Sequence, residues 1–107
     1  MTIPSFVTQS QQVSRPEDLP RPHPGDVFKR RFIEKTSLKR PEIAAVLGVS
    51  EKHLSRFVNG HIRVEVAFAR KLEACTNVSA NAWLHYQIQY DLYKTAKLDK
   101  QQTLLSA

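Results

Sequence analysis

From Pro24 onward, apolar residues recur three and four positions apart, which is the period of an amphipathic helix and not of a strand. Interruptions divide this region into five predicted helices. They cover residues 25–35, 40 to about 47, 51–58, 65–76 and 80 to about 97. The pattern therefore predicts an all-α fold, a compact five-helix domain.

The predicted boundaries carry residues that start or stop helices. Pro41 falls in the first turn of helix two, where its missing N–H does no harm, and Gly48 ends that helix. Ser50 and Ser79 are expected to cap helices three and five, and Asn77 to end helix four.

One apolar stripe on each of the first four helices gives the expected core. The stripes comprise Val27, Phe28 and Phe32; Ile43, Val46 and Leu47; Leu54, Phe57 and Val58; and Phe68, Ala69, Leu72 and Cys75.

The two ends differ from this pattern. Residues 1–22 hold four prolines among Ser, Thr and Gln, which predicts a flexible, extended arm. Its sparse apolar residues leave open that it orders on a partner. The domain is expected to span residues 23–97, and residues 98–107 to form a frayed tail.

The segment Arg40–Gly60 has the composition of a helix-turn-helix motif. Two short helices that cross steeply need a small residue where they touch, here Ala44, and a glycine at the turn, here Gly48. Apolar residues at the remaining contact positions hold both helices to the core; they are Ile43, Leu47, Val49, Leu54 and Phe57.

Helix three offers a polar edge that is short enough to enter a DNA major groove. Lys52 and Arg56 are predicted to reach guanine edges or nearby phosphates, and Ser55 to make a smaller contact. Glu51 could accept from a cytosine amino group or favour the helix dipole. The plain alternative is a solvated face, but the turn signature favours the groove.

Further donors around this edge could hold phosphate oxygens without reading sequence, among them the N–H groups that begin helix two. The full predicted DNA-contact set is Lys39, Arg40, Ser50, Glu51, Lys52, His53, Ser55, Arg56, Asn59 and Arg63.

The charge agrees with an acidic partner. Sixteen basic and ten acidic residues give a net charge of +6, which suits nucleic acid, an anionic membrane or an acidic protein. The net charge alone does not distinguish among these three partners. Several short helices around one core disfavour a membrane-surface role.

Catalytic and extracellular roles find no support in the sequence. Cys75 is the only cysteine, the start lacks a secretory signal, and no apolar run could span a membrane, so a cytoplasmic protein is expected. The four histidines lack metal spacing, and there is neither a phosphate loop nor a carboxylate pair. No enzyme activity, metal or cofactor is predicted.

Helix five is apolar on two sides. Trp83, Tyr86 and Tyr90 form one ridge, and a second lies at spacing four, formed by Leu84, Ile88 and Leu92. A monomer needs one buried stripe, so the presence of two predicts a homodimer that reads a palindromic operator. The predicted dimerisation residues are Trp83, Leu84, Tyr86, Ile88, Tyr90 and Leu92. The alternative is that both ridges pack within one monomer.

Three motifs resemble those of HigA-type antitoxins (VapI-like) within the XRE, lambda-repressor-like helix-turn-helix superfamily. They are His23–Phe28, Ile43–Ser50 and the run Val78–Gln87 followed by Tyr90–Leu92. The resemblance covers about residues 23–93. The middle motif is common to the whole superfamily, and only the opening and closing motifs point to HigA-type antitoxins in particular.

The resemblance implies a toxin–antitoxin module, in which the protein neutralises a HigB/RelE-like ribonuclease toxin and represses its own operon. A stand-alone phage- or plasmid-type repressor without a toxin is the alternative. A third possibility is a protein-interaction module whose helix-turn-helix no longer binds DNA.

Overall fold

The computed structural model describes residues 19–96, and these confirm the all-α prediction. Five helices follow one another: α1 Pro24–Arg31, α2 Arg40–Leu47, α3 Glu51–Val58, α4 Val66–Thr76 and α5 Ala80–Thr95. One 3₁₀ turn, Ile33–Lys35, follows α1. Within residues 19–96 there is no β-strand, and none of these helices is long and apolar enough to cross a membrane.

The predicted termini fall largely outside this range. Only residues 19–22 of the predicted arm are described, and the predicted tail, residues 98–107, lies entirely outside the described residues.

The core forms where all five helices meet. Trp83 of α5, Phe57 of α3 and Leu72 of α4 are fully buried, and Phe28 of α1 lies between the rings of Phe57 and Trp83 at 5.8 and 6.2 Å. Offset and edge-to-face aromatic packing of this kind adds to the free energy gained from burial alone.

The polar atom of Trp83 is satisfied inside this core. Its indole N–H donates to Oγ1 of Thr76 at 3.2 Å, and the Thr76 hydroxyl in turn donates to the Leu72 carbonyl. Burial of the ring therefore leaves no indole donor unpaired.

The predicted caps are present. The Oγ atoms of Ser50 and Ser79 each accept a backbone N–H three residues on, at 3.0 Å. Gly48 and Asn77 take the left-handed conformation that ends α2 and α4, at φ 80° and 65°.

Two details of the helix prediction are wrong. Helix one ends at Arg31 because Phe32 leaves helical geometry, which turns its ring onto Phe28 and Trp83. Val46 is 63% exposed and does not belong to the inward stripe of α2, where Ala44 is buried instead.

The prediction for the first ridge of α5 is also corrected. Trp83 is fully buried inside the monomer, so it cannot contact a second copy. Tyr86 packs edge-on against Trp83, and Tyr90 packs against His23 at 5.0 Å. The dimer contact predicted for Trp83 is therefore wrong, whereas Tyr86 and Tyr90 are only half-buried and stay predicted contacts.

Candidate nucleic-acid interface

The turn between α2 and α3 sets the direction of α3. The N–H groups of Gly48 and Val49 both donate to the Ala44 carbonyl, at 2.9 and 3.0 Å. On the outer side, Nζ of Lys71 in α4 donates to the Gly48 carbonyl at 2.9 Å. These bonds satisfy the last carbonyls of α2 and fix where α3 begins.

One side of α3 is anchored and the other is free. Leu54 and Phe57 are buried, at 1% and 0% exposure. The predicted contact edge is exposed along its whole length; it comprises Glu51, Lys52, Ser55, Arg56 and Asn59. Among the described residues, neither Lys52 nor Arg56 forms an ion pair. The edge therefore presents two uncompensated cations to solvent.

Two predicted contact residues also have roles inside the protein. Ser50 is exposed, but its Oγ caps α3 by accepting from the His53 N–H. The His53 ring packs edge-on against Phe68 at 4.9 Å, and its buried Nε2 has no hydrogen-bond partner among residues 19–96. The half-buried His53 ring is thus held against α4 and not on the exposed edge.

The other predicted cations lie at the ends of the motif. Lys39 and Arg40 are exposed where α2 begins, and the Lys39 N–H donates to the Glu42 carboxylate at 2.8 Å. The sequence did not indicate Lys71 of α4, whose exposed side chain adds a further cation at the turn between α2 and α3. Only the folded chain brings Lys71 near Gly48, so no local pattern signals it.

Arg63 is exposed but already engaged. Its guanidinium bonds Asp91 of α5 through both Nη atoms, at 3.3 and 2.9 Å, and its Nε bonds Glu65 at 2.9 Å. A phosphate would have to compete with two carboxylates for this group. Arg63 is therefore less available to DNA than Lys52 and Arg56.

The Arg63–Asp91 pair extends into the protein through Gln87. Gln87 is buried, donates to Asp91 at 2.9 Å and accepts the Val64 N–H at 2.7 Å. Partial burial acts to raise the pKa of Asp91, but hydrogen bonds from Arg63 and Gln87 outweigh it and hold that pKa below its ordinary value. This network ties the segment after α3 to α5.

His23 links the same segment to α1. Its Nδ1 accepts the Gly25 N–H at 2.8 Å, which caps α1, and its ring lies beside Gly60, where an added Cβ would be 3.8 Å from Cγ of His23. Burial lowers the pKa of His23 below its ordinary value. The sequence motif included His23, but the capping role could not be read from it because histidine is an uncommon cap.

The second ridge of α5 stays partly uncovered. Ile88 and Leu92 are 53% and 41% exposed, and Leu84 is half-buried. Val66, at the start of α4, is also exposed and lines a shallow depression with Leu84. An apolar face with these four residues thus lies across α4 and α5. We call this the α5 apolar face.

Residues 19–96 contain no group of three acidic, histidine or cysteine side chains placed to hold a metal ion. Cys75 is half-buried, and its burial raises the pKa of the thiol above the ordinary value.

The chain has helix-turn-helix proteins as relatives. It is 30% identical over 69 residues to an uncharacterised HTH-type transcriptional regulator of Haemophilus influenzae, and the match covers 64% of each protein, slightly less than two thirds. It is 29% identical over 84 residues to virulence-associated protein I of Dichelobacter nodosus, over 78% of this chain and 77% of that protein. No protein-family model matches.

Solved structures share the fold. Antitoxin GraA in complex with its operator superposes with a TM-score of 0.71 at 19% identity, over 87% of this chain and 98% of GraA. Pseudomonas aeruginosa PA4674 in complex with its 18-base-pair operator superposes with a TM-score of 0.72 at 20% identity, over 83% and 96%. The predicted resemblance to XRE-like helix-turn-helix regulators and antitoxins, including the VapI type, is confirmed.

Proposed function

We propose that this chain, similar to helix-turn-helix regulators and folded like antitoxins solved on operators, binds double-stranded operator DNA through α3. The observation that carries the proposal is the division of α3 into two sides. Leu54 and Phe57 fasten one side to the core, while Lys52 and Arg56 stand exposed and unpaired among the described residues on the other. A short helix held in this way can enter a major groove and donate to base edges.

The composition of the edge favours a duplex over a single strand. Proteins that bind single-stranded nucleic acid stack bases on exposed aromatic rings. On α3 the phenyl ring of Phe57 is fully buried, and the His53 ring packs against Phe68. The exposed edge holds only charged and polar side chains, which suit groove edges and phosphates.

Binding of the protein's own upstream DNA tests this function. Fluorescence anisotropy with a labelled duplex from upstream of its gene should show saturable binding that is tighter than to a scrambled duplex. Equal, weak and strongly salt-dependent binding to both duplexes would reject sequence-specific recognition. The protein-interaction interpretation would then take its place.

We further propose a homodimer formed through the α5 apolar face. Leu84, Ile88 and Leu92 lie at spacing four along α5, and the exposed Val66 lies beside Leu84. Pairing this face with a second copy would remove it from water and present two α3 helices to one duplex. Recognition helices about 34 Å apart would read a palindrome, one half-site per protomer.

The biological role we propose is that of an antitoxin. In this role the protein acts in the cytoplasm, represses its own operon and neutralises a HigB/RelE-like ribonuclease toxin. The antitoxin-like fold and the similarity to virulence-associated protein I support it. Co-expression with a neighbouring small toxin gene should restore growth and yield a co-purified complex. Persistent arrest without a complex would reject this role.

The second candidate is a stand-alone repressor without a toxin. The similarity to an HTH-type transcriptional regulator of Haemophilus influenzae favours it. The two candidates agree on DNA binding and differ only in the partner. Repression of its promoter that persists while the co-expressed neighbour forms no complex would select this candidate.

A further inference from the structure

A cleft of about 500 Å³ opens between α1, α5 and the segment that leads into α1. Three basic side chains of the described residues line it, namely Arg21, Arg31 and His85, and none of its described lining residues is acidic. Its apolar and neutral walls include Val27, Tyr86 and Gln89. The cleft therefore combines concentrated positive charge with an apolar wall.

Within the described part of the chain, neither Arg21 nor Arg31 has a carboxylate partner. Among residues 19–96, the buried Nε of Arg21 has no hydrogen-bond partner, and Nη1 of Arg31 donates only to the neutral Tyr86 hydroxyl at 3.3 Å. By contrast, the neighbouring Arg30 pairs with Asp26 at 3.2 Å. A buried donor without an acceptor costs free energy, and an anion in the cleft would remove that cost.

We propose that this cleft docks an acidic segment of a partner protein. A carboxylate lies between Arg21 and Arg31, where two guanidinium groups can each donate in a planar fork. The adjoining side chain of the same segment is apolar and packs on Val27 and the Tyr86 ring. This site is independent of DNA binding by α3.

A protein segment fits this cleft better than a DNA backbone does. Helix α1 lies between α3 and α5: Gly25 lies directly against Phe57 of α3, and Arg31 contacts Tyr86 of α5. The cleft thus opens on the side of α1 that faces α5. The exposed edge of α3 lies on the side of α3 opposite Phe57, which is the side turned away from α1. A recess with an apolar wall accepts a flexible side chain, whereas phosphates of a duplex meet side chains that project.

A pair of capped dipeptides tests the proposal on the full chain. Acetyl-Glu-Phe-amide, titrated into ¹⁵N-labelled protein, should shift the signals of Val27, Arg31 and Gln89, with a dissociation constant in the millimolar range. Acetyl-Gln-Phe-amide, which lacks only the charge, should bind at least about tenfold more weakly.

Charge-matched variants locate the binding. Arg21→Gln/Arg31→Gln should lose the carboxylate-dependent shifts, whereas Lys29→Gln/Arg30→Gln, which removes the same charge from α1, should keep them. Circular dichroism checks that both remain folded. Equal binding of the two dipeptides, or no shift at the cleft, would overturn the proposal. So would an upstream duplex that shifts the same signals and needs Arg21 and Arg31, because the cleft would then hold phosphate.

Discussion

A Cβ atom on Gly25 would lie 2.7 Å from the carbonyl carbon of Phe57 and closer still to its oxygen. Helix α1 can approach α3 this closely only because residue 25 has no side chain. The obstructing atoms are backbone, so no side-chain rotation relieves the clash. The orientation of α3 therefore depends on a glycine outside the helix-turn-helix itself.

Gly25→Ala should destabilise the protein by about 1–3 kcal/mol or more, because α1 and α3 must separate. Urea denaturation followed by circular dichroism measures this loss. Gly48→Ala is the contrasting variant, since it meets only Lys71 atoms at 4.0 Å and is strained by its φ of +80° alone. A cost of about 1–2 kcal/mol is expected there. A neutral Gly25→Ala would show that the helices are not in close contact.

Truncation of the two cations on α3 should weaken operator binding selectively. Lys52→Ala and Arg56→Ala should each cost about 1–3 kcal/mol on the upstream duplex if the side chain contacts a base, and less on scrambled DNA. Anisotropy titrations at one salt concentration compare them. Lys29→Ala, which removes an exposed charge from α1, is the control. Wild-type affinity in the double variant Lys52→Ala/Arg56→Ala would remove α3 as the recognition helix.

Lys39→Ala should weaken binding to every duplex alike. Lys39 is exposed beside the start of α2, where a phosphate contact carries no sequence information. The slope of log K against log salt should become shallower by about 0.9 for one lost phosphate contact. Titrations at four salt concentrations on upstream and scrambled duplexes supply both slopes. An unchanged slope would place Lys39 outside the interface.

Charge on the α5 apolar face should dissociate the proposed dimer. Ile88→Asp and Leu92→Asp place a carboxylate where both copies would bury apolar surface, so sedimentation velocity should show a shift to monomer at micromolar concentration. The circular dichroism spectrum should not change, because both side chains are about half exposed in the monomer and neither belongs to its core. Val46→Asp is the control, because Val46 is an exposed side chain on α2, and it should leave the dimer intact. Dimers that survive in Ile88→Asp/Leu92→Asp would place the interface elsewhere.

The helix caps and turns could be predicted from the sequence, because local chemistry determines them. The side of α5 that faces the core could not, because tertiary packing determines it. Ser50, Gly48 and Asn77 could be assigned because capping hydroxyls and left-handed turns have local signatures. Trp83 was misplaced because periodicity shows that two ridges are apolar, but not which one faces the protein's own core.

The contacts that the sequence did not reveal join distant segments. Lys71 reaches the Gly48 carbonyl across 23 positions, and Arg63 reaches Asp91 across 28. A single sequence carries no pattern at such separations. The exposure of this edge of α3 could be predicted because the spacing of Leu54 and Phe57 fixes, by elimination, which side chains face outward.

His23 makes the stability of the fold depend on pH between neutrality and mild acid. Nδ1 of His23 must stay unprotonated to accept the Gly25 N–H. Burial lowers the pKa of His23 below 6.5, with smaller opposing effects from the Ile62 backbone, Asp91 and Asp26 and a further small lowering from His61. Above pH 6.5 both the folded and the unfolded chain keep this ring neutral, so its contribution is fully present. Below 6.5 the unfolded chain binds the proton first, and stability falls until the folded ring also titrates. The loss of unfolding free energy from this group should not exceed about 1.4 kcal/mol per pH unit.

Urea titrations between pH 5 and 8 should show the decline in the wild type and a flatter profile in His23→Asn, whose side chain can cap α1 without titrating in this range. Parallel profiles for the two proteins would assign the decline to other groups.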